Sequence, residues 1–304
     1  MSKRASEYSI AAVSKLTGVG CHALRIWERR YGFPVPRRSP SGHRRFGADQ
    51  VESLVLIARE LSEGRSIGDV MADYHAGRLS PKAEAKVPRA RSGVSVLDQL
   101  LLGDQEAADL EFVRIAAGRP PVELVRELIG PALVELGERW FRGECDPYQE
   151  HLASGFFRRK LHILLETAQR ANTQPRGKAI VGTVQGDRHE GGVLMIALYL
   201  ELAGWRAYMI GVDVPTKDYQ KAVEIWKPDV LCLSFILSRN INKRFGELAK
   251  IRSIPVFVGG RSILNYQGLA RKHGLHPMTG PGEAAVRELI AMVEGRTTTP
   301  AISP

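Results

Sequence analysis

Asp187 and His189 stand two residues apart in GTVQGDRHEGG, and Gly192 follows three residues later. A neutral imidazole on an exposed loop can coordinate a metal. A carboxylate close by can accept a hydrogen bond from the other ring nitrogen, which fixes the tautomer and makes the imidazole a better donor. Gly192 lets a bulky group approach the backbone where the next helix starts. Alone, D-x-H-x-x-G is a weak pattern. It gains from Ser234 at the end of the apolar run DVLCLSF, and from Gly259 and Gly260 at the end of PVFVGG. Upstream, Trp140, Glu150 and His151 form W-x9-E-H, with Phe141 directly after the tryptophan. A third constellation is basic: His22, Arg25 and Arg29 in CHALRIWERRY, then Arg38, His43, Arg44 and Arg45 in PVPRRSPSGHRRF. Such residues suit contacts with phosphates and base edges.

These groups need elements to position them, and the chain divides into segments that could do so. From residue 178 short apolar runs (KAIVGTV, RAYMIGV, DVLCLSF, PVFVGG) alternate with amphipathic stretches. That βαβα rhythm predicts a Rossmann-like, flavodoxin-like α/β domain over residues 176–296, with a parallel sheet and helices on both faces. Open sheets of this kind bind ligands at the carboxyl ends of their strands, where His189, Ser234 and Gly259–Gly260 would lie. Residues 95–172 carry helical periodicity and predict a helical bundle, with Pro120–Pro121 opening one helix and Asp146–Pro147 another. Residues 78–94 are basic and contain proline, and read as a linker. Residues 297–304 read as a disordered tail.

Residues 7–77 predict an all-α winged helix-turn-helix. Ser9 is placed to cap a helix over IAAVSKLT and Gly18 to close it. In the next helix Leu24, Trp27 and Tyr31 fall on one apolar face, with Arg25 and Arg29 four apart on another. The charge supports a polyanionic partner. The whole chain carries +10, and residues 1–48 hold ten Lys/Arg against two acids, Glu7 and Glu28, so about +8 lies in that segment. The same residues would also serve as a solubilising surface. Three scattered cysteines, Cys21, Cys145 and Cys232, suit neither a disulfide framework nor a zinc site. No apolar run reaches the roughly 18 residues of a membrane span, and the first ten residues lack a secretory apolar core. The expectation is a cytoplasmic, multi-domain protein with no membrane partner.

LRIWERRYGFPVPRRSPSGHRRF resembles the winged helix-turn-helix of the MerR family, with its Arg-x-Trp-Glu core and Gly-His-Arg-Arg-aromatic wing. That resemblance implies binding to double-stranded promoter DNA. The helix bearing His22, Arg25 and Arg29 would enter the major groove, and the wing with Arg38, His43, Arg44 and Arg45 would hold the backbone. The order D-x-H-x-x-G, then Ser234, then Gly259–Gly260 resembles the cobalamin-binding fold of methionine synthase and the corrinoid methyltransferases. It implies that His189 ligates cobalt in place of the cofactor's own base, and that the cofactor's tail passes Ser234 and the glycines. Together with Trp140, Glu150 and His151, the chain resembles the CarH/LitR group of MerR-type photoreceptors. In that group the bundle caps the upper face of adenosylcobalamin; light frees the adenosyl group, the cap shifts, and a DNA-bound oligomer comes apart. The resemblance thus implies a homo-oligomer, a dimer or tetramer, and no catalytic residues. One departure bears on the signal: Phe141 stands where the best-known members carry a second cobalt-ligating histidine. Two alternatives stay open, a regulator that senses cobalamin or another tetrapyrrole without light, and a corrinoid methyltransferase-type carrier.

Overall fold

The computed structural model describes residues 7–17, 19–39, 42–62, 65–79, 91–236 and 240–295. Gly18, most of the 78–94 linker and the 297–304 tail lie outside the described residues.

The N-terminal unit comprises β1 (Glu7–Ser9), α1 (Ile10–Thr17), α2 (Cys21–Tyr31), β2 (Arg37–Arg38), β3 (Arg44–Gly47), α3 (Ala48–Ser62) and α4 (Ile67–His75). Ser9 Oγ accepts the Ala12 N–H at 3.2 Å and so caps α1. Gly32, at φ +68°, ends α2 in the left-handed conformation that glycine adopts without cost. β2 and β3 form the wing hairpin, and β1 joins on the other side of β3 to give an antiparallel sheet of order β1-β3-β2. The helix-turn-helix therefore carries a small sheet in addition to the expected helices. Strands of two to four residues are too short for an alternating pattern to show in sequence. Val13, Leu24, Trp27, Phe46, Leu54 and Met71 share a core of their own.

The bundle comprises α5 (Arg91–Leu101), α6 (Gln105–Ala116), α7 (Pro121–Leu124), α8 (Gly130–Phe141) and α9 (Pro147–Ala171). Between α7 and α8 the helix continues through a π-helical turn, Val125–Ile129, where the Gly130 N–H reaches back to the Val125 carbonyl. Pro131 supplies the reason: it has no N–H to donate and its ring crowds the preceding turn, so the ladder changes register there. Asp146 and Gln149 open α9, with Gln149 Oε1 accepting the Asp146 N–H at 2.9 Å.

The C-terminal domain runs β4 (Lys178–Val184), α10 (Glu190–Leu202), β5 (Arg206–Val214), α11 (Thr216–Trp226), β6 (Val230–Ser234), α12 (Ile241–Leu248), β7 (Val256–Gly259), a 3-10 turn (Arg261–Asn265), α13 (Gln267–Lys272), β8 (His276–Pro277) and α14 (Gly282–Val293). Its five strands are all parallel, in the order β5-β4-β6-β7-β8. This is the flavodoxin-like order, and its switch point, where the winding reverses, lies between β4 and β6. The four apolar runs form strands; β8, two residues at the edge, gave no apolar run to find. One face of the sheet shares a continuous core with the bundle, joining Phe112, Phe157 and Leu161 to Leu198, Val181 and Phe257. The other face packs on α11, α12 and α13 through Tyr219, Phe245 and Ala270.

Candidate cofactor site and DNA-binding surface

β4 ends at Val184, and a turn through Gly186 leads into Asp187, Arg188 and His189 before α10 begins. Asp187 is 2% exposed. Its Oδ1 lies 2.7 Å from His189 Nδ1 and accepts the His189 N–H at 3.2 Å. Its Oδ2 accepts the Ile236 N–H at 2.7 Å, just beyond β6. A carboxylate already serving two N–H groups is an acceptor, so Nδ1 is the donor and Nε2 carries the lone pair. The His189 side chain is half exposed while its partner is buried. A fixed, outward-facing Nε2 with a buried carboxylate behind it is the arrangement of a metal-ligating histidine supported from below.

Ser234, at the end of β6, lies across the switch point. Its Oγ is buried and makes no hydrogen bond among the described residues. A buried hydroxyl without a partner costs stability unless a bound group satisfies it. Gly192 faces it: a Cβ at Gly192 would lie 2.6 Å from Ser234 Oγ. Gly260, at φ +95°, lies where a Cβ would meet the Phe235 carbonyl at 2.5 Å, so that close approach needs glycine. The nearest atoms to a Cβ at Gly259 would be those of Met278, at 3.3 Å or more. The histidine, the unpartnered hydroxyl and the glycines thus meet at the carboxyl ends of β4, β6 and β7. The residues fit a corrinoid: His189 would hold its cobalt, and the crevice beside Ser234 and the glycines at the strand ends would take its slender tail.

The bundle covers the neighbouring ground. Gly191 comes close enough to α8 that a Cβ would lie 3.1 Å from Leu133 Cδ1. From α9, Arg158 Nη1 reaches Glu190 Oε2 at 3.3 Å and His162 Nε2 lies 3.8 Å from Glu190 Oε1. The residue after His189 is therefore held by the bundle, a link that sequence spacing did not reveal. Trp140 lies two turns beyond Leu133 on α8, roughly 10 Å along the helix, and is 48% exposed. Glu150 contacts His151 Nδ1, and His151 is largely exposed. The Phe141 side chain lies outside the described residues.

In the N-terminal unit, a pocket of about 280 Å³ between the start of α1, α2 and the wing is lined by Arg25, His43, Arg44 and Arg45, four of the residues singled out in the sequence. His22, Arg25 and Arg29 are exposed on α2 while Leu24 and Trp27 are buried. Arg38 donates to the Gly42 carbonyl at 3.3 Å across the hairpin. Arg44 differs from its neighbours: its Nε donates to Glu28 Oε2 at 2.7 Å and its Nη2 to Oε1 at 3.4 Å. Arg25 and Arg30 lie on the same helix as Glu28, near enough in sequence to be its ion-pair partners. The partner is Arg44 instead, whose guanidinium clamps the wing to α2.

Three regions match known families. Residues 8–72 match the MerR HTH family of regulatory proteins, and residues 95–165 and 177–290 each match a B12 binding domain. The chain is 31% identical to the HTH-type transcriptional repressor CarH of Myxococcus xanthus, over 90% of this chain and 95% of that protein. The chain belongs to the B12-binding MerR regulators of the CarH/CarA family. CarA of the same organism, also an HTH-type transcriptional repressor, is 33% identical over 83% of this chain and 85% of its own length. As a member of that family the chain is a cobalamin-binding transcription regulator with a DNA-binding N-terminal unit. The monomethylamine corrinoid protein of Methanosarcina barkeri superposes with a TM-score of 0.54 at 16% identity, covering 66% of this chain and 96% of that one. That likeness is one of fold.

Proposed function

We propose that this protein is a light-responsive transcription repressor that holds adenosylcobalamin through His189 and binds promoter DNA as a homo-oligomer in the cytoplasm. The observation that carries the cofactor assignment is the Asp187–His189 pair, set opposite the unpartnered Ser234 hydroxyl at the switch point. Adenosylcobalamin, when bound, supplies cobalt and a light-labile cobalt–carbon bond above the ring. The protein's residues hold and cover it. His189 Nε2 would ligate cobalt, Ser234, Gly192, Gly259 and Gly260 would make room for the rest of the corrinoid at the strand ends, and Trp140, Glu150 and His151 of the bundle, with Phe141 beside Trp140 in the sequence, would cover it. A half-exposed tryptophan at the end of a bundle helix is a side chain that a large planar partner would cover. His22, Arg25 and Arg29 read the major groove, while Arg38, His43 and Arg45 hold phosphates. Non-enzymatic regulation suits the winged unit better than corrinoid carriage between enzymes.

Absorption spectra of the protein loaded with adenosylcobalamin in the dark, taken before and after illumination with size-exclusion chromatography on both samples, test the proposal. A spectral change accompanied by a change of oligomer size is expected. His189→Ala should shift the dark spectrum, and an unchanged spectrum would place another group beneath cobalt. A second reading, a cobalamin regulator that does not use light, is favoured by Phe141 following Trp140. It predicts bound corrinoid with unchanged assembly and DNA affinity after illumination.

A further inference from the structure

Asp213 belongs to neither the histidine pair nor the cap, yet the loop that carries His189 is built around it. β5 has nine residues against seven in β4, and the pairing slips twice. Gly182 opposes Gly211 and Val184 opposes Val214, so Val212 and Asp213 together face Thr183. Such a two-against-one bulge re-aims a side chain and is over-represented beside functional sites. At the bulge Asp213 adopts φ +60°, the left-handed region in which aspartate is tolerated but uncommon.

That conformation turns both ends of the residue toward the loop. The Asp213 N–H donates to Thr183 Oγ1 at 2.9 Å and lies 3.0 Å from the Asp187 carbonyl oxygen. The Thr183 hydroxyl in turn donates to that same carbonyl. The Asp213 carboxylate accepts the Gly186 N–H at 2.6 Å and Arg188 Nε at 3.0 Å. Gly186, Asp187 and Arg188, the three residues before His189, are therefore all held by one residue of the adjacent strand. From the other side, Ile236 fixes the Asp187 carboxylate. Asp187 can orient the imidazole only as well as its own backbone is held.

We propose that Asp213 is a positioning residue for the cobalt ligand: it sets the loop so that His189 Nε2 faces the corrinoid, acting through Thr183, Gly186 and Asp187. The inference rests on His189 being that ligand. The test is electron paramagnetic resonance of the full-length protein loaded with cob(II)alamin, with and without ¹⁵N-histidine labelling. Coordination by His189 gives nitrogen splitting that changes from a triplet to a doublet on labelling. Asp213→Gly keeps the backbone conformation and removes only the carboxylate. It should lower the label-sensitive fraction and weaken cofactor retention on gel filtration by roughly tenfold, the lower end for outer-shell partners. Asp213→Asn retains an acceptor for Gly186 and should recover most of both. Thr183→Val, which removes the hydroxyl at nearly constant volume, should act in the same direction and serves if the glycine variant does not fold. Unchanged splitting and retention in a folded Asp213→Gly or Thr183→Val protein would overturn the positioning role. Lack of label-sensitive splitting in the unsubstituted protein would instead overturn the His189 reading itself, and the positioning role with it.

Discussion

At the residue scale the site rests on two kinds of absence, a side chain missing at Gly192 and a hydrogen bond missing at Ser234. They are one feature, because the glycine leaves the space that the serine hydroxyl faces. Gly192→Ala would place a methyl 2.6 Å from Ser234 Oγ but 3.5 Å from Ser234 Cβ. Overpacking of this kind costs about 1–3 kcal/mol, against a helix-propensity gain of up to about 1 kcal/mol for replacing glycine in α10. Gly192→Ala should therefore destabilise the protein in urea. Adding Ser234→Ala should restore stability to the starting level or above. Ser234→Ala alone should fold normally yet retain cobalamin less well. Additive effects in that double-mutant cycle would show that the two residues do not share one space.

At the scale of elements, the N-terminal unit separates residues that hold the wing from residues free to touch DNA. Arg44 is tied to Glu28, whereas Arg25 is exposed and shares the groove with Arg45. Replacing Arg25 and Arg45 together by alanine should weaken promoter binding by roughly 1.5–3 kcal/mol per charge-assisted hydrogen bond to DNA removed, without strict additivity. Electrophoretic mobility shift at fixed salt measures it, and wild-type affinity would refute the surface assignment. The same unit joins α3 to α4 through Glu60, Arg65 and Asp73. Hydrogen bonds from Arg65 hold the Glu60 and Asp73 carboxyls below their ordinary values of 4.5 and 3.8. Carboxyls depressed in the folded state stabilise it fully above those ordinary values, and the contribution fades as pH falls through the lower, folded ones. Thermal melting of the N-terminal unit should be insensitive to these groups from pH 7 to about 5. It should become acid-labile below that, and less steeply so in Asp73→Asn.

At the scale of the whole molecule, the bundle and the α/β domain are less separate than their sequence patterns suggest. Phe157 and Leu161 of α9 lie in the same core as Leu198 of α10 and Phe257 of β7, while the N-terminal unit keeps a core of its own. Two calorimetric transitions are expected, one for the N-terminal unit and one for bundle and sheet together. Phe157→Ala should cost about 3–5 kcal/mol, as large-to-small core changes do, and should lower only the second transition. Three independent transitions would contradict the shared core. That core also limits any displacement of the cap. A bundle lifting off as one body would expose the apolar contact between α9 and α10 to water, so the response proposed above would be carried by the Trp140 end of α8.

The order of amino acids alone dictates the helices, the four longer strands of the C-terminal sheet and the chemistry they carry, but not the short strands β1, β2, β3 and β8. Four apolar runs bounded by glycine and proline specify strands because a buried parallel strand has no polar alternative. The Arg/His-rich stretches specify a DNA-binding end because their charge has no internal counterpart of equal size. Asp187 and His189 could be read together because they are neighbours in the chain, and a two-residue spacing survives any fold. Packing in three dimensions settles the relations between residues far apart in sequence. Arg44 pairs with Glu28, Gly192 faces Ser234, Asp213 holds the loop before His189, and Arg158 and His162 grip Glu190. Each depends on strand order, bulge and helix packing. Those are set by how apolar faces are buried against one another, and a local pattern does not contain that information.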